Sequence, residues 1–128
     1  MIAEWQRVTH RLLRALDAEL ADLRLSAGEV NALAALAEGP RTARALAEAT
    51  AQHPSTLTGV LDRLERQGLV ARRANPADRR STLIEPTEAG GSAVERVGAA
   101  FAALEARLPR ARVADVLAAV DDALSRGR

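Results

Sequence analysis

The sequence predicts a mainly α-helical chain with a small β hairpin, two to three strands in all, just past its middle. Three observations carry this expectation. Apolar residues recur every three or four positions over most of the 128 residues, the spacing of amphipathic helices. Aromatic residues make up only 2% of the chain, and the alanine, leucine and arginine that dominate instead are strong helix formers. Residues 69–84 alone break the spacing, with two short extended runs on either side of Asn75-Pro76 and several arginines between them.

A chain of this length reads as one domain with room for a sizeable core. It contains no cysteine, so disulfides, thiol chemistry and cysteine-ligated metals are excluded. No apolar run approaches the roughly 20 residues of a membrane helix, and no signal peptide pattern opens the chain. A cytoplasmic protein without membrane association is the expectation. The net charge of +1 hides an uneven distribution: residues 41–80 hold eight arginines against four acids, and the rest holds ten against thirteen. A basic middle between mildly acidic arms suits a nucleic-acid-binding face on a helical body.

In order, Ile2, Trp5, Val8, Leu12, Leu16, Leu20 and Leu23 mark an amphipathic helix over residues 2–23. Ser26-Ala27-Gly28-Glu29 has the spacing of a capping box and opens a second helix with Val30, Leu33 and Leu36 inward. Gly39-Pro40 ends it. Thr42 can cap a short third helix that turns Ala43, Leu46 and Ala47 to the core. After a tight connection, Pro54 suits the first turn of a fourth helix, residues 54–67. Its inward stripe is Leu57, Val60, Leu61 and Leu64, and Gly68 is placed to end it in a left-handed turn. Two short helices so joined are a helix-turn-helix. Residues 69–73 and 81–84 form the hairpin, a wing. Thr87 caps a fifth helix in which Val94, Val97, Phe101, Leu104 and Leu108 form a narrow a/d seam. Pro109 breaks it, and Val113, Val116, Leu117, Val120 and Leu124 define a last helix.

The stretch LDRLERQGLVARRANPADRRSTLIEPTEAGG, with Asp-x-Arg at the wing tip (Asp78 and Arg80), resembles the signature of the MarR family of winged helix-turn-helix transcription regulators. The match runs from about Leu25 to Gly91. The resemblance implies one MarR-like domain over residues 1–128, with a DNA-binding lobe at about 25–90. Dimerisation helices are implied at about 1–24 and 87–126. It further implies a homodimeric repressor or activator on double-stranded DNA, with residues 54–67 in the major groove and the wing in the minor groove. A small, often aromatic, effector is a further implied partner. By position Arg80 is the minor-groove residue and Asp78 the acid that orients it. The chain departs from the family pattern at Gly59, where many members carry a larger, often basic side chain, and at Pro86, where leucine is usual.

Ser55, Thr56 and Thr58 lie at the start of the recognition helix, where hydroxyls meet base edges, although such residues also favour helix starts for local reasons. Arg63 has Gly59, Val60, Arg66 and Gln67 as its helical neighbours and no acid among them, which leaves it for phosphate or a guanine edge, with a solvated surface cation the alternative. Arg79 and Arg80 have no role in making a turn, and a narrow minor groove attracts inserted arginine. Arg72 and Arg73 alternate across a strand, so at most one faces DNA; Arg73 is the candidate. Arg41 and Thr42 sit at a helix start that can bind phosphate, and Thr42 serves equally as a plain cap. Trp5, His10 and Phe101 are the candidates for an aromatic-ligand pocket, with core or dimer interface the alternative for Trp5 and Phe101. There is no phosphate loop, metal-ligand spacing or Ser–His–acid set, so catalysis, cofactor and metal are not expected. The competing function is a winged helix that holds a protein partner and binds no specific DNA.

Overall fold

The computed structural model of the chain describes residues 1–127, so Arg128, the last residue of the expected domain, lies outside the described residues. The order is α1 (Ile2–Leu20), a 3₁₀ turn (Ala21–Leu23), α2 (Ala27–Ala35), β1 (Arg41–Thr42), α3 (Ala43–Thr50), α4 (Pro54–Arg66), β2 (Val70–Ala74), β3 (Thr82–Pro86), α5 (Glu88–Glu105) and α6 (Arg110–Ser125). The fold class is as expected: helices around a three-stranded antiparallel sheet of order β1-β3-β2.

The first helix stops three residues early. The chain tightens into the 3₁₀ turn, and Arg24 takes a left-handed conformation with its N–H on the Ala21 carbonyl. Ser26 caps α2 by accepting from the Glu29 N–H at 3.3 Å, but the reciprocal half of the capping box is absent because the Glu29 carboxylate is engaged elsewhere. Thr42 caps α3 through the Ala45 N–H at 3.1 Å. Ala43 is exposed at the start of that helix rather than turned inward, and Leu46 and Ala47 carry its buried face. Gly68 does adopt the left-handed conformation, at φ 73°, and the chain turns directly into β2.

The strand β1 is too short to show a period in sequence. It pairs with β3 at Arg41–Ile84 and Thr42–Leu83, while β2 pairs on the other side with Arg72 opposite Ile84 and Arg73 opposite Leu83. Ile84, central in the sheet, is fully buried. Around it the core gathers Leu33 from α2 and Leu36 at its C-terminal cap, Leu46 from α3, Leu57, Val60, Leu61 and Leu64 from α4, and Val97 from α5. Burial of each such aliphatic side chain is worth about 1.5–3 kcal/mol, and this shared core holds α4 and the wing to one body.

The fifth helix faces that core differently from the expected seam. Its buried stripe is Gly90, Ala93, Val97 and Ala100, small residues that let the helix come close. Val94 and Phe101 are only partly buried at its flank, and Leu108 is exposed. Gly90 is required by that approach, since a Cβ there would lie 1.7 Å from the Leu69 carbonyl oxygen. Thr87 locks the same junction, accepting from the Gly90 N–H at 3.1 Å and donating to the Gly68 carbonyl at 2.5 Å. The sixth helix buries none of its residues. No described helix is long and apolar enough to cross a membrane.

Candidate nucleic-acid interface

The apolar stripe of α4 fixes which side of it faces away from the body. At 100° per residue, Ser55, Gly59, Asp62 and Arg66 fall opposite Leu57, Val60, Leu61 and Leu64. His53 caps this helix, its Nδ1 accepting from the Ser55 N–H at 3.3 Å and lying 2.7 Å from the Ser55 hydroxyl. The Thr58 hydroxyl donates to the Pro54 carbonyl at 3.0 Å, whereas Thr56 is exposed and its hydroxyl makes no bond among the described residues. Of the three, Thr56 thus has the hydroxyl with no internal partner.

Arg63 is the main correction. Sequence neighbours leave it without an acid, but its Nε donates to Glu29 Oε1 at 3.0 Å, across 34 residues of chain. Helical spacing accounts only for partners on the same helix, and this one comes from α2. On the opposite flank of α4, Arg72 of β2 reaches Asp62 at 2.9 Å and Glu65 at 2.6 Å. The recognition helix is therefore clamped by ion pairs on both sides. Arg73 is paired too, with Glu85 on the neighbouring strand at 2.8 Å. The Nε of Arg41 donates to the Ala35 carbonyl at 2.6 Å and its guanidinium meets Glu38 at 3.2 Å, so Arg41 closes the end of α2 rather than standing open at the start of α3. The Thr42 hydroxyl is spent as a cap.

Between β2 and β3 the wing tip is ordered by its own side chains. Asn75 donates to the Ser81 hydroxyl at 2.9 Å and accepts from the Ala77 N–H at 3.0 Å. Asp78 Oδ1 accepts from both the backbone N–H (3.0 Å) and the Nε (3.3 Å) of Arg80. Asp78 thus bends the turn and holds the base of a guanidinium whose side chain is 92% exposed. Arg79 beside it is exposed, with no acid partner among the described residues. The only other arginine of residues 41–80 in that condition is Arg66, on the outward side of α4. Sequence reasoning passed over Arg66; its position opposite the buried stripe is the signal that would have found it.

Trp5, His10 and Phe101 are not brought together. Trp5 is half-buried on α1, His10 lies on an open face of the same helix among Arg7, Arg11 and Arg14, and Phe101 borders a shallow cleft beside Asn31, Arg41 and Thr50. A more enclosed space, of about 190 Å³, lies instead between α1 and α2, lined by Leu13, Leu16, Leu20, Val30, Arg24 and Asn31 among others. No group of three or more His, Asp or Glu side chains among the described residues is placed to hold a metal ion.

These features can be set beside known proteins. A family model described as MarR family matches residues 21–81, from the turn after α1 to the last residue before β3. Over that stretch, just under half of its length, the chain is similar to the MarR family. A curated relative, the HTH-type transcriptional repressor NicR of Pseudomonas putida, is 35% identical over 57 residues, 44% of this chain and 36% of NicR. The matched stretches span about a third of the length of the curated relatives. Among solved structures, the MepR protein of S. aureus in its DNA-binding conformation superposes with a TM-score of 0.81 at 21% identity, covering 98% of this chain and 97% of MepR. The BpsR protein of Bordetella bronchiseptica, described with a mechanism for regulation of its DNA binding by 6-hydroxynicotinic acid, gives 0.78 at 26% identity over 96% and 92%. The likeness to MepR extends over nearly the whole chain, so α1, α5 and α6 as well as the lobe share the fold of that protein.

Proposed function

We propose that this chain is a MarR-family dimeric transcription regulator that binds double-stranded DNA, with α4 in the major groove and the wing tip in the adjacent minor groove. One observation carries the reading: among the described residues 41–80, the arginines without acid partners, Arg66 and Arg79, stand at the outward side of α4 and at the tip of the wing, with Arg80 projecting beside the latter. A helix and a hairpin bound into one body and tipped with cations suit two neighbouring grooves. Ser55, Thr56 and Thr58 serve base edges, and Arg80, steadied by Asp78, serves the minor groove. Affinity then falls steeply with salt, and two-fold symmetry sets half-sites roughly 10 bp apart. Fluorescence anisotropy on fragments selected from genomic DNA tests this directly; Arg80→Ala is expected to weaken binding about tenfold or more, given the worth of a good groove contact.

Dimerisation falls to residues 1–24 and 87–126. Ile2, Val8, Leu12, Leu108, Val116, Leu117 and Leu124 leave large apolar surface in water in the single chain, the kind of exposure that marks an interaction surface. We assign repression as the direction of control, in keeping with the name of NicR. The regulation of BpsR by 6-hydroxynicotinic acid favours a small aromatic acid as effector. The cleft between α1 and α2, with Arg24 and Asn31 beside its apolar wall, is the place for it rather than a pocket of Trp5, His10 and Phe101. A thermal shift with 6-hydroxynicotinic acid that disappears in Arg24→Ala is the expected result.

The pairing of Arg63, Arg72 and Arg73 with acids favours one second reading, a winged helix that docks a protein partner. Protein that retains no genomic fragment at low salt selects that reading over the first.

A further inference from the structure

Glu29 is the one charged side chain in the described core, 3% exposed. Its Oε1 accepts from the Arg63 Nε at 3.0 Å, while its Oε2 is buried with no partner. A buried carboxylate satisfied on one side only is a poor source of stability, and apolar residues of like volume commonly serve as well or better. What the pair does fix is a direction. Holding a guanidinium by its Nε leaves both terminal nitrogens, with four N–H groups, free. Helical side chains lean toward the preceding turn, and Arg63 accordingly lies over residue 59, where its NH1 is 3.6 Å from the position a Cβ would occupy. With glycine at residue 59 the guanidinium crosses toward the outward side of α4 over a bare helix floor, which a larger side chain would occupy.

We propose that Glu29 is a positioning residue that aims Arg63 at a guanine edge in the major groove, with Gly59 as the floor it crosses. This rests on the DNA-binding reading above. The family's usual larger side chain at position 59 is thereby replaced by an arginine entering from one turn downstream, fixed at its base by a carboxylate of another helix. Guanine presents two acceptors, O6 and N7, to a planar fork of this kind. Arg63 is half-exposed where it emerges and anchored where it is buried, the arrangement that a bidentate contact needs.

The test uses the full chain and a duplex footprinted from genomic fragments that the wild type retains, together with duplexes in which each G·C pair is replaced in turn. The readout is the ratio of Kd on each substituted duplex to Kd on the parent, because a loss of folded protein lowers both equally. Arg63→Ala is expected to collapse that ratio roughly ten- to a hundredfold at one G·C pair. Glu29→Met is expected to do so at the same pair, Glu29→Gln to keep most of the discrimination, and Glu29→Met added to Arg63→Ala to change nothing further. If Glu29→Met does not fold, Arg63→Lys serves: it keeps the charge without the fork and is expected to lose the discrimination while retaining overall affinity. A wild-type ratio in Glu29→Met or Arg63→Lys overturns the assignment. So does a loss in Arg63→Ala that is uniform across duplexes and lowers the salt slope by about one, the mark of a phosphate contact. A wild type that retains no fragment overturns the DNA-binding reading itself.

Discussion

The lobe formed by α2, α3, α4, the sheet and the inner face of α5 differs in kind from the arms, α1 and α6. In the lobe every helix start has a side-chain cap: Ser26, Thr42, His53 and Thr87. Neither arm has one. The lobe contains nearly all the buried aliphatic residues, whereas α1 buries Leu20 alone and α6 none. The lobe is thus closed by its own chain, and the arms are amphipathic helices whose apolar faces still lack a partner. The difference teaches where each part's stability comes from: packing and capping within one chain for the lobe, and, on the dimeric reading proposed above, association for the arms.

The sharpest way to break that contrast is to truncate one leucine in each region. Leu64→Ala, at a fully buried site, is expected to cost about 2–5 kcal/mol in urea unfolding. Leu117→Ala, at a site 52% exposed, is expected to leave the unfolding of the monomer almost unchanged and to raise the dissociation constant of the dimer in sedimentation. Equal losses in both assays would remove the distinction between lobe and arm. Next in size is Gly90→Ala, where the new methyl meets a backbone carbonyl that cannot turn aside; a loss of about 3 kcal/mol or more is expected, at the upper end for overpacking.

Smaller effects sharpen the picture. Thr42→Ala or Thr87→Ala should each cost about 1 kcal/mol of lobe stability through the lost cap. Gly59→Ala should go the other way, raising stability by about 0.5–1 kcal/mol, because the added Cβ meets only the Arg63 guanidinium at an ordinary 3.6 Å. The smallest effect lies at the seam between arm and lobe, where Arg96 of α5 grips Asp22 with two bonds of 2.8 Å. The side-chain hydrogen bonds from Arg96 hold the Asp22 carboxyl below its ordinary 3.8. A depressed folded value means a contribution present above the unfolded value and lost as pH falls through the folded one. Asp22→Asn should therefore lower Tm slightly at neutral pH and leave it unchanged below the acid end of that window, as read in paired thermal melts.

Much of the lobe was legible in the sequence because its determinants are local. Caps at Ser26, Thr42 and Thr87, the turn at Gly68, the break at Pro109 and the stripe of α4 each declare themselves within a few residues. What was not legible depends on residues far apart in the chain. The strand β1 is two residues long and exists only through its pairing with β3. The acid for Arg63 lies 34 residues away, and those for Arg72 lie on another element. In α5 the eye follows Val94 and Phe101, but close approach to Leu69 turns Ala93 and Ala100 inward instead. At the candidate interface, arginine content alone overstated the free charge, since most of the arginines of residues 41–80 are neutralised within the fold.

The clamp of α4 between Glu29–Arg63 on one side and Arg72 with its two acids on the other has a mechanical consequence. The wing cannot swing against α4 without parting Arg72 from Asp62 and Glu65, nor α4 against α2 without parting Arg63 from Glu29, so the span between helix and wing tip works as a fixed caliper. On the dimeric reading proposed above, any tolerance of the pair of lobes for operators of different spacing or twist then resides in the arms, which leaves the jaw rigid and the handle adjustable.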